Sequence, residues 1–231
     1  MMKQISIPTF ATILLTLLLL GQIKAQDTTF IWKDKQRGTA QSIYFDRNKN
    51  SKFYAEITYF KFLNFDNDSY KYSIDYLKEN RLFLHKKNPV ITSTKWVTLK
   101  QYKGKYYAYH PCDFYNHFRA SINDTTYIEW TGEGPVGNKI LNQKKIDDQT
   151  YEFKLTGINS KNRTIIIHII DDDKGIAVFE ESSKGAAKDY YLMIMADKVR
   201  TVPLIVNNCE HQKQNEVNFD TPKYAKLLKM Q

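Results

Sequence analysis

TIIIHIIDDDKGIAVFEE, residues 164–181, is the stretch that decides the fold class. Two runs rich in isoleucine, valine and phenylalanine flank a short Asp-Asp-Asp-Lys-Gly segment. β-Branched and aromatic residues favour extended strands, and glycine supplies the positive φ that a tight turn needs. The stretch therefore predicts two antiparallel strands joined by a tight turn.

The same pattern recurs along the chain. In TYEFKL (150–155), apolar Tyr151, Phe153 and Leu155 alternate with Glu152 and Lys154, as in a half-buried strand. Short polar turn segments separate the runs, the glycine-rich TGEGPVGNK (131–139) reads as a loop, and no amphipathic helix intervenes. Further strands are predicted at 29–34, 40–46, 53–63, 70–76, 81–85, 95–102, 105–110, 126–130, 189–196 and 203–208.

This order of elements predicts an all-β fold, a mainly antiparallel meander closed as an up-and-down barrel or packed as a two-sheet sandwich. One short C-terminal α-helix is expected over 219–230, with Thr221 as N-cap and Pro222 at the first helical position. No composition break divides 26–231, so we expect one domain there.

The regular meander of aromatic-rich strands resembles secreted ligand-binding β-barrels such as the lipocalins. The likeness lies in the architecture. The early tryptophan stands in FIWKD (30–34) without the preceding glycine of a Gly-x-Trp motif. No residue roles are therefore transferred from that family.

Residues 1–25 have the pattern of a secretory signal peptide. Lys3 follows the two initial methionines, ATILLTLLLL (11–20) forms an apolar run, and Ala25 provides a small residue for cleavage. The apolar run is shorter than the roughly 20 residues of a membrane-spanning helix. We expect an exported protein, periplasmic or secreted and of bacterial type in composition, without a transmembrane segment in the mature chain.

The two cysteines, Cys112 and Cys209, are expected to form a disulfide, because an even cysteine count in an exported chain indicates pairing. The net charge is +9 at pH 7, but Lys and Arg are dispersed among Asp and Glu. Nucleic-acid binding usually shows a clustered basic stripe, so no nucleic-acid partner is expected.

YYAYHPCDFYNH, residues 106–117, concentrates groups that can bind metal ions or act in catalysis. His110, Asp113 and His117 surround Cys112, and His211 follows Cys209. The spacing is not that of the usual zinc sites, and paired cysteines leave the set of ligands. The segment therefore favours a structural disulfide, with no cofactor, over a metal centre or a hydrolase site beside it.

Aromatic residues make up 14% of the chain, which suggests a surface or pocket that binds an apolar group of a ligand. The predicted function is non-catalytic binding of a small apolar or amphiphilic ligand, or of a partner surface. A carbohydrate-binding module with exposed aromatic side chains is the alternative, and an enzyme is disfavoured. The residues expected to contact a ligand are Tyr107, Tyr109, Trp96, Trp130, Tyr191 and Met193.

Overall fold

The computed structural model describes residues 28–34, 40–113, 117–159, 161–211 and 213–229. The predicted signal segment, 1–25, lies outside these residues. The helical elements are α1 (Lys52–Ile57), α2 (Asn64–Glu79), the 3-10 helix η1 (Ala196–Thr201) and α3 (Tyr224–Leu227). The strands are β1 (Thr28–Lys33), β2 (Gln41–Asp46), β3 (Lys95–Tyr102), β4 (Lys105–His110), β5 (Arg119–Ile122), β6 (Thr126–Thr131), β7 (Gly134–Lys145), β8 (Thr150–Thr156), β9 (Arg163–Asp171), β10 (Ile176–Ser183), β11 (Asp189–Met195) and β12 (Leu204–Cys209).

Eight strands form a closed antiparallel barrel. Strands β5 to β11 follow one another as a meander, and β3 closes the ring by pairing with β5 on one side and β11 on the other. The all-β, mainly antiparallel prediction is confirmed, and the hairpin of 164–181 is β9 paired with β10. Closure satisfies the backbone hydrogen bonds of both edges of the meander.

The barrel interior is filled by side chains. Trp96, Phe153 and Met193 are fully buried there, and Phe179 packs its ring 5.2 Å from that of Trp96. Fully buried side chains of this kind pack at the density of a protein core. The interior is therefore the main hydrophobic core of the fold.

A polar cluster lies among buried residues of the barrel strands. Arg163 on β9 donates through Nη1 to Glu129 Oε1 at 2.6 Å and to Glu181 Oε1 at 2.9 Å. Asn138 donates to the second oxygen of Glu129 at 3.0 Å. Buried charges need such partners, because taking an unpaired carboxylate out of water is costly.

A second sheet extends from the barrel. Strands β4, β12, β2 and β1 continue in this order from β3, and the pairing of β12 with β4 is parallel. Its inner face packs against the outside of the barrel through residues such as Leu99, Leu204 and Val206. Barrel and packed sheet therefore coexist, and β3 belongs to both.

The prediction of strands over 53–63 and 70–76 is wrong, as is that of a strand at 81–85, which has no regular structure. Helix α1 begins after Ser51, whose side chain caps Phe53 N, and buries Tyr54 and Ile57 one turn apart. The segment 70–76 lies inside α2, where Tyr70 and Ile74 are four residues apart and therefore on one helical face.

Helix α2 packs on the outer surface of the barrel at β7. A Cβ atom at Gly137 would lie 2.7 Å from Tyr70 Cε2, so the absent side chain lets the helix approach the strand. Gly137 N donates to Ser73 Oγ at 2.9 Å. The prediction of a loop at 131–139 holds only for the turn at 132–133, because Gly134 and Gly137 belong to β7, a strand beneath a helix.

The C-terminal helix is present as α3, shorter than the predicted 219–230. It begins after Lys223, so Thr221 and Pro222 precede it rather than start it. Asp220 instead bridges to Gln101 on β3, and its carboxylate accepts from Gly104 N at 2.7 Å in the β3–β4 turn. Across the described residues, we find no helix with the length and apolarity to cross a membrane.

Candidate functional site

A cavity lies where β3 changes partner. Residues Lys95–Val97 of β3 pair with β5, and residues Leu99–Tyr102 pair with β4, so β4 and β5 separate at Thr98. Thr98 Oγ1 donates to Phe118 O at 2.6 Å on the β5 side. The opening, which we call the fork cavity, has a volume of about 190 Å³. It is lined by Thr98, Lys100, Tyr109, Pro111, Asp113, His117, Lys213, Glu216 and Phe219.

The predicted disulfide borders this cavity. Cys112 and Cys209 are bonded, with their Cα atoms 5.6 Å apart and 97 positions between them in sequence. The bond ties the chain leaving β4 to the end of β12. It thereby restrains Pro111 and Asp113, which form one wall of the fork cavity.

The opposite wall, residues 213–219, is held on the sheet by a buried polar network. The amide of Gln41 donates to Asn207 Oδ1 at 2.5 Å and accepts from Asn215 N at 2.8 Å. Asn207, fully buried, donates to the hydroxyl of Tyr109 at 3.1 Å, and that hydroxyl donates to Glu216. Burial, followed by the hydrogen bond to Glu216, raises the pKa of Tyr109 above its usual range.

Among the charged residues that line the fork cavity, Lys100 has an unusual environment. Its ammonium nitrogen lies 5.7 Å from the ring centroid of Phe219, and among the described residues it has no hydrogen-bond or ion-pair partner. Burial lowers the pKa of Lys100, although the charge of Glu216 opposes that shift. Glu216 itself is occupied by Tyr109 and by Lys213 at 3.6 Å. Of the two lysines that line the cavity, Lys213 is thus paired with Glu216, whereas no described side chain forms an ion pair with the amine of Lys100.

His117 lines the cavity as a neutral imidazole. It is 5% exposed and its Nε2 lies 3.4 Å from the carbonyl of Ile57. Burial first, then the charge of Arg119, lowers its pKa to about 3. A neutral imidazole adds no positive charge to the site at neutral pH.

The other two histidines that the sequence marked as possible ligands, His110 and His211, lie outside the fork cavity. His110 is buried outside the cavity, where its Nε2 lies 2.8 Å from Glu56 Oε2 and its ring 4.6 Å from that of Phe53. His211 is exposed and does not line the cavity. Within the described ranges, no three His, Cys, Asp or Glu side chains are grouped so that they can hold a metal ion.

Of the six residues predicted to contact a ligand, Tyr109 lines the fork cavity. Trp96 and Met193 lie in the barrel core, and Tyr191 packs against Phe118 beside that core. Trp130 is 3% exposed under Phe62. Tyr107 packs its ring 5.3 Å from that of Phe45 in a smaller cluster on the outer sheet face.

Sequence reasoning missed Lys100, Glu216 and Phe219. In the sequence, Lys100 is an ordinary polar position of the alternating strand KWVTLKQY (95–102). Glu216 lies between the last predicted strand and the predicted helix, and Phe219 is the first residue of that predicted helix. The only local signal is the alternation itself, which places Thr98 and Lys100 on the face opposite Leu99. Their convergence with Glu216 follows from the tertiary fold.

Comparison with known proteins adds no family assignment: no family model matches the chain, and neither curated proteins nor solved structures give a significant match. The interpretation of the fork cavity therefore rests on its own geometry.

Proposed function

We propose that this protein is an exported binding protein that holds a small amphiphilic anion in the fork cavity. The observation that carries the proposal is the amine of Lys100, which has no hydrogen-bond or ion-pair partner among the described residues and lies in a cavity lined in part by the rings of Tyr109 and Phe219. Apolar pockets with one or two placed polar groups are typical binding sites for small molecules. Export is supported by the disulfide, since such bonds persist mainly in oxidising compartments.

The size of the cavity limits the ligand. Its volume of about 190 Å³ lies below the roughly 300–1,000 Å³ of pockets for drug-sized molecules. A short-chain or single-ring carboxylate is the class that fits. Its carboxylate would meet Lys100, and its apolar body would lie against Phe219 and Tyr109.

The residues around the cavity mouth fit a small ligand with a polar head group better than they fit a carbohydrate. Asp113, Lys213 and Glu216 at the mouth are solvent-exposed, so the cavity is reachable from outside. Trp96 and Trp130, which a carbohydrate module would use as stacking platforms, are 0% and 3% exposed. The carbohydrate alternative therefore has less support from the geometry than the small-anion proposal.

Calorimetric titration tests the proposal with matched pairs of ligands, phenylacetate against 2-phenylethanol and hexanoate against hexanol. We expect each acid to bind at least about tenfold more tightly than its alcohol, because hydrogen bonds to charged groups are worth about 1.5–3 kcal/mol. Lys100→Met should remove that preference. Lys154→Met, which changes an exposed strand lysine outside the cavity, should retain it.

Two outcomes would contradict the proposal. One is equal affinity of the wild-type protein for acid and alcohol, and the other is no binding of either. Thermal unfolding of both variants establishes that they are folded. Since Lys100 forms no ion pair with any residue that the structure describes, we expect Lys100→Met to be at least as stable as the wild type.

A further inference from the structure

We infer that the amine of Lys100 is a selective covalent acceptor for small aldehydes and ketones, with which it forms an imine inside the fork cavity. The inference uses the same cavity as the proposed function but a different chemistry. It requires that a small neutral molecule enters the cavity, and it does not require that a carboxylate binds there.

The position of Lys100 supports this reactivity. Its side chain extends from β3 into a cavity that is large enough for a single-ring aldehyde, about 190 Å³. The ring of Phe219 lies on one side of the amine, with a distance of 5.7 Å to the ring centroid. Burial disfavours the charged ammonium, and the uncharged amine is the form that attacks a carbonyl carbon.

Lysines that pair with a nearby carboxylate have their pKa shifted in the opposite direction. Lys71 lies 2.5 Å from Asp75, Lys174 lies 2.7 Å from Asp171, and Lys188 lies 2.6 Å from Glu180. These carboxylates raise the pKa of their lysines, whereas burial lowers the pKa of Lys100. At neutral pH the uncharged fraction is therefore larger at Lys100 than at those paired lysines.

The remaining ionisable groups around the cavity allow the reaction. Glu216 opposes loss of the proton from Lys100, but its charge is shared with Tyr109 and Lys213. Asp113 lies at the exposed rim, and His117 is held neutral by burial. No group in this set repels a neutral aldehyde.

The reaction balances without a cofactor. The amine nitrogen bonds to the carbonyl carbon, and one N–H proton moves to the carbonyl oxygen to give a carbinolamine. The C–O bond then breaks, and the oxygen leaves as water with the second N–H proton. The product is a C=N bond at Nζ of Lys100. Added cyanoborohydride delivers hydride to that carbon, and a solvent proton completes a stable secondary amine.

The test exposes the whole protein to 4-fluorobenzaldehyde with sodium cyanoborohydride at neutral pH, followed by intact mass measurement and peptide mapping. We expect one addition, on the peptide containing Lys100, with at least about tenfold less on any other lysine. The α-amino group is read separately in its own peptide. Lys100→Met should lose the single addition, and Lys154→Met should keep it.

Labelling spread evenly over the exposed lysines of the wild-type protein would overturn the inference. A single addition that persists in Lys100→Met would do the same. The wild-type map alone decides the question if the variant is unstable. If Lys100 is labelled but phenylacetate binds no more tightly than 2-phenylethanol, only the anion proposal is refuted. If phenylacetate binds more tightly but Lys100 is not labelled selectively, only this inference is refuted.

Discussion

Acidification between pH 6.5 and about 4.5 should destabilise this protein through His117. The folded state keeps its imidazole neutral, with a pKa of about 3, whereas the unfolded chain takes up the proton near the ordinary histidine pKa of 6.5. The unfolded state therefore binds more protons in this range, and stability falls as the pH falls. The slope from one such group is about 1.4 kcal/mol per pH unit.

Because the unfolded imidazole is half protonated at pH 6.5, the loss attributable to His117 between pH 6.5 and 4.5 integrates to about 2.3 kcal/mol. The pKa of His110 is also lowered by burial, so the wild-type loss should exceed this figure. The window stops near pH 4.5 because carboxyl groups begin to titrate below it.

Urea unfolding at half-unit pH intervals measures the effect. In His117→Gln, whose amide can still donate to the carbonyl of Ile57, the fall in unfolding free energy should be smaller by about 2–3 kcal/mol. His85→Gln, a change at an exposed histidine, should leave the pH dependence unchanged. If the curves of His117→Gln and wild type run parallel across the window, the imidazole is not held neutral by the fold and the reasoning is wrong.

Two further predictions concern stability. Cys112→Ser with Cys209→Ser should lower the free energy of unfolding by up to about 4–5 kcal/mol, because the bridge spans 97 positions; a urea midpoint that dithiothreitol does not shift in the wild type would contradict this. Arg163→Met should cost about 3–5 kcal/mol by leaving Glu129 buried without its cation. Lys145→Met, which breaks an exposed pair, should leave stability nearly unchanged, and equal losses in the two variants would refute the importance of burial.

The strands of the barrel could be predicted because their signals are local. Strands β3 and β4 coincide with the predicted 95–102 and 105–110, and β8 to β11 lie within two residues of their predictions. These strands carry either alternating or nearly continuous apolar side chains, and short polar segments bound them. The two-residue turn Lys103-Gly104, with φ of 49° and 74°, has the positive dihedrals that such a hairpin requires.

The pair α2 and β7 could not be predicted, because each depends on the other. In YKYSIDY (70–76) the apolar residues satisfy a period of two as well as a helical period, so the sequence pattern does not separate strand from helix. Gly134 and Gly137 suggest a loop in isolation. In the folded protein they leave space on β7 for Ser69 and Tyr70 of the helix.

The candidate site likewise combines residues that the sequence marked with residues that it did not. Tyr109, Asp113 and His117 were marked by their density within 106–117, and the pairing of Cys112 with Cys209 by the cysteine count. Lys100 and Glu216 lie far apart in sequence, and neither carries a local signal. They meet because β3 changes partner at Thr98 and because buried Gln41 holds residues 214–215 against the sheet.

The fold class, most strand positions and the disulfide could be predicted from the sequence, because alternation and turn residues act over short range and the disulfide follows from the cysteine count. Long-range contacts are responsible for the closure of the barrel through β3, for the helix on β7 and for the position of Lys100 near Phe219, where no described residue forms an ion pair with it. Those features depend on long-range pairing and on the burial it creates, and burial is what changes the chemistry of Lys100 and His117.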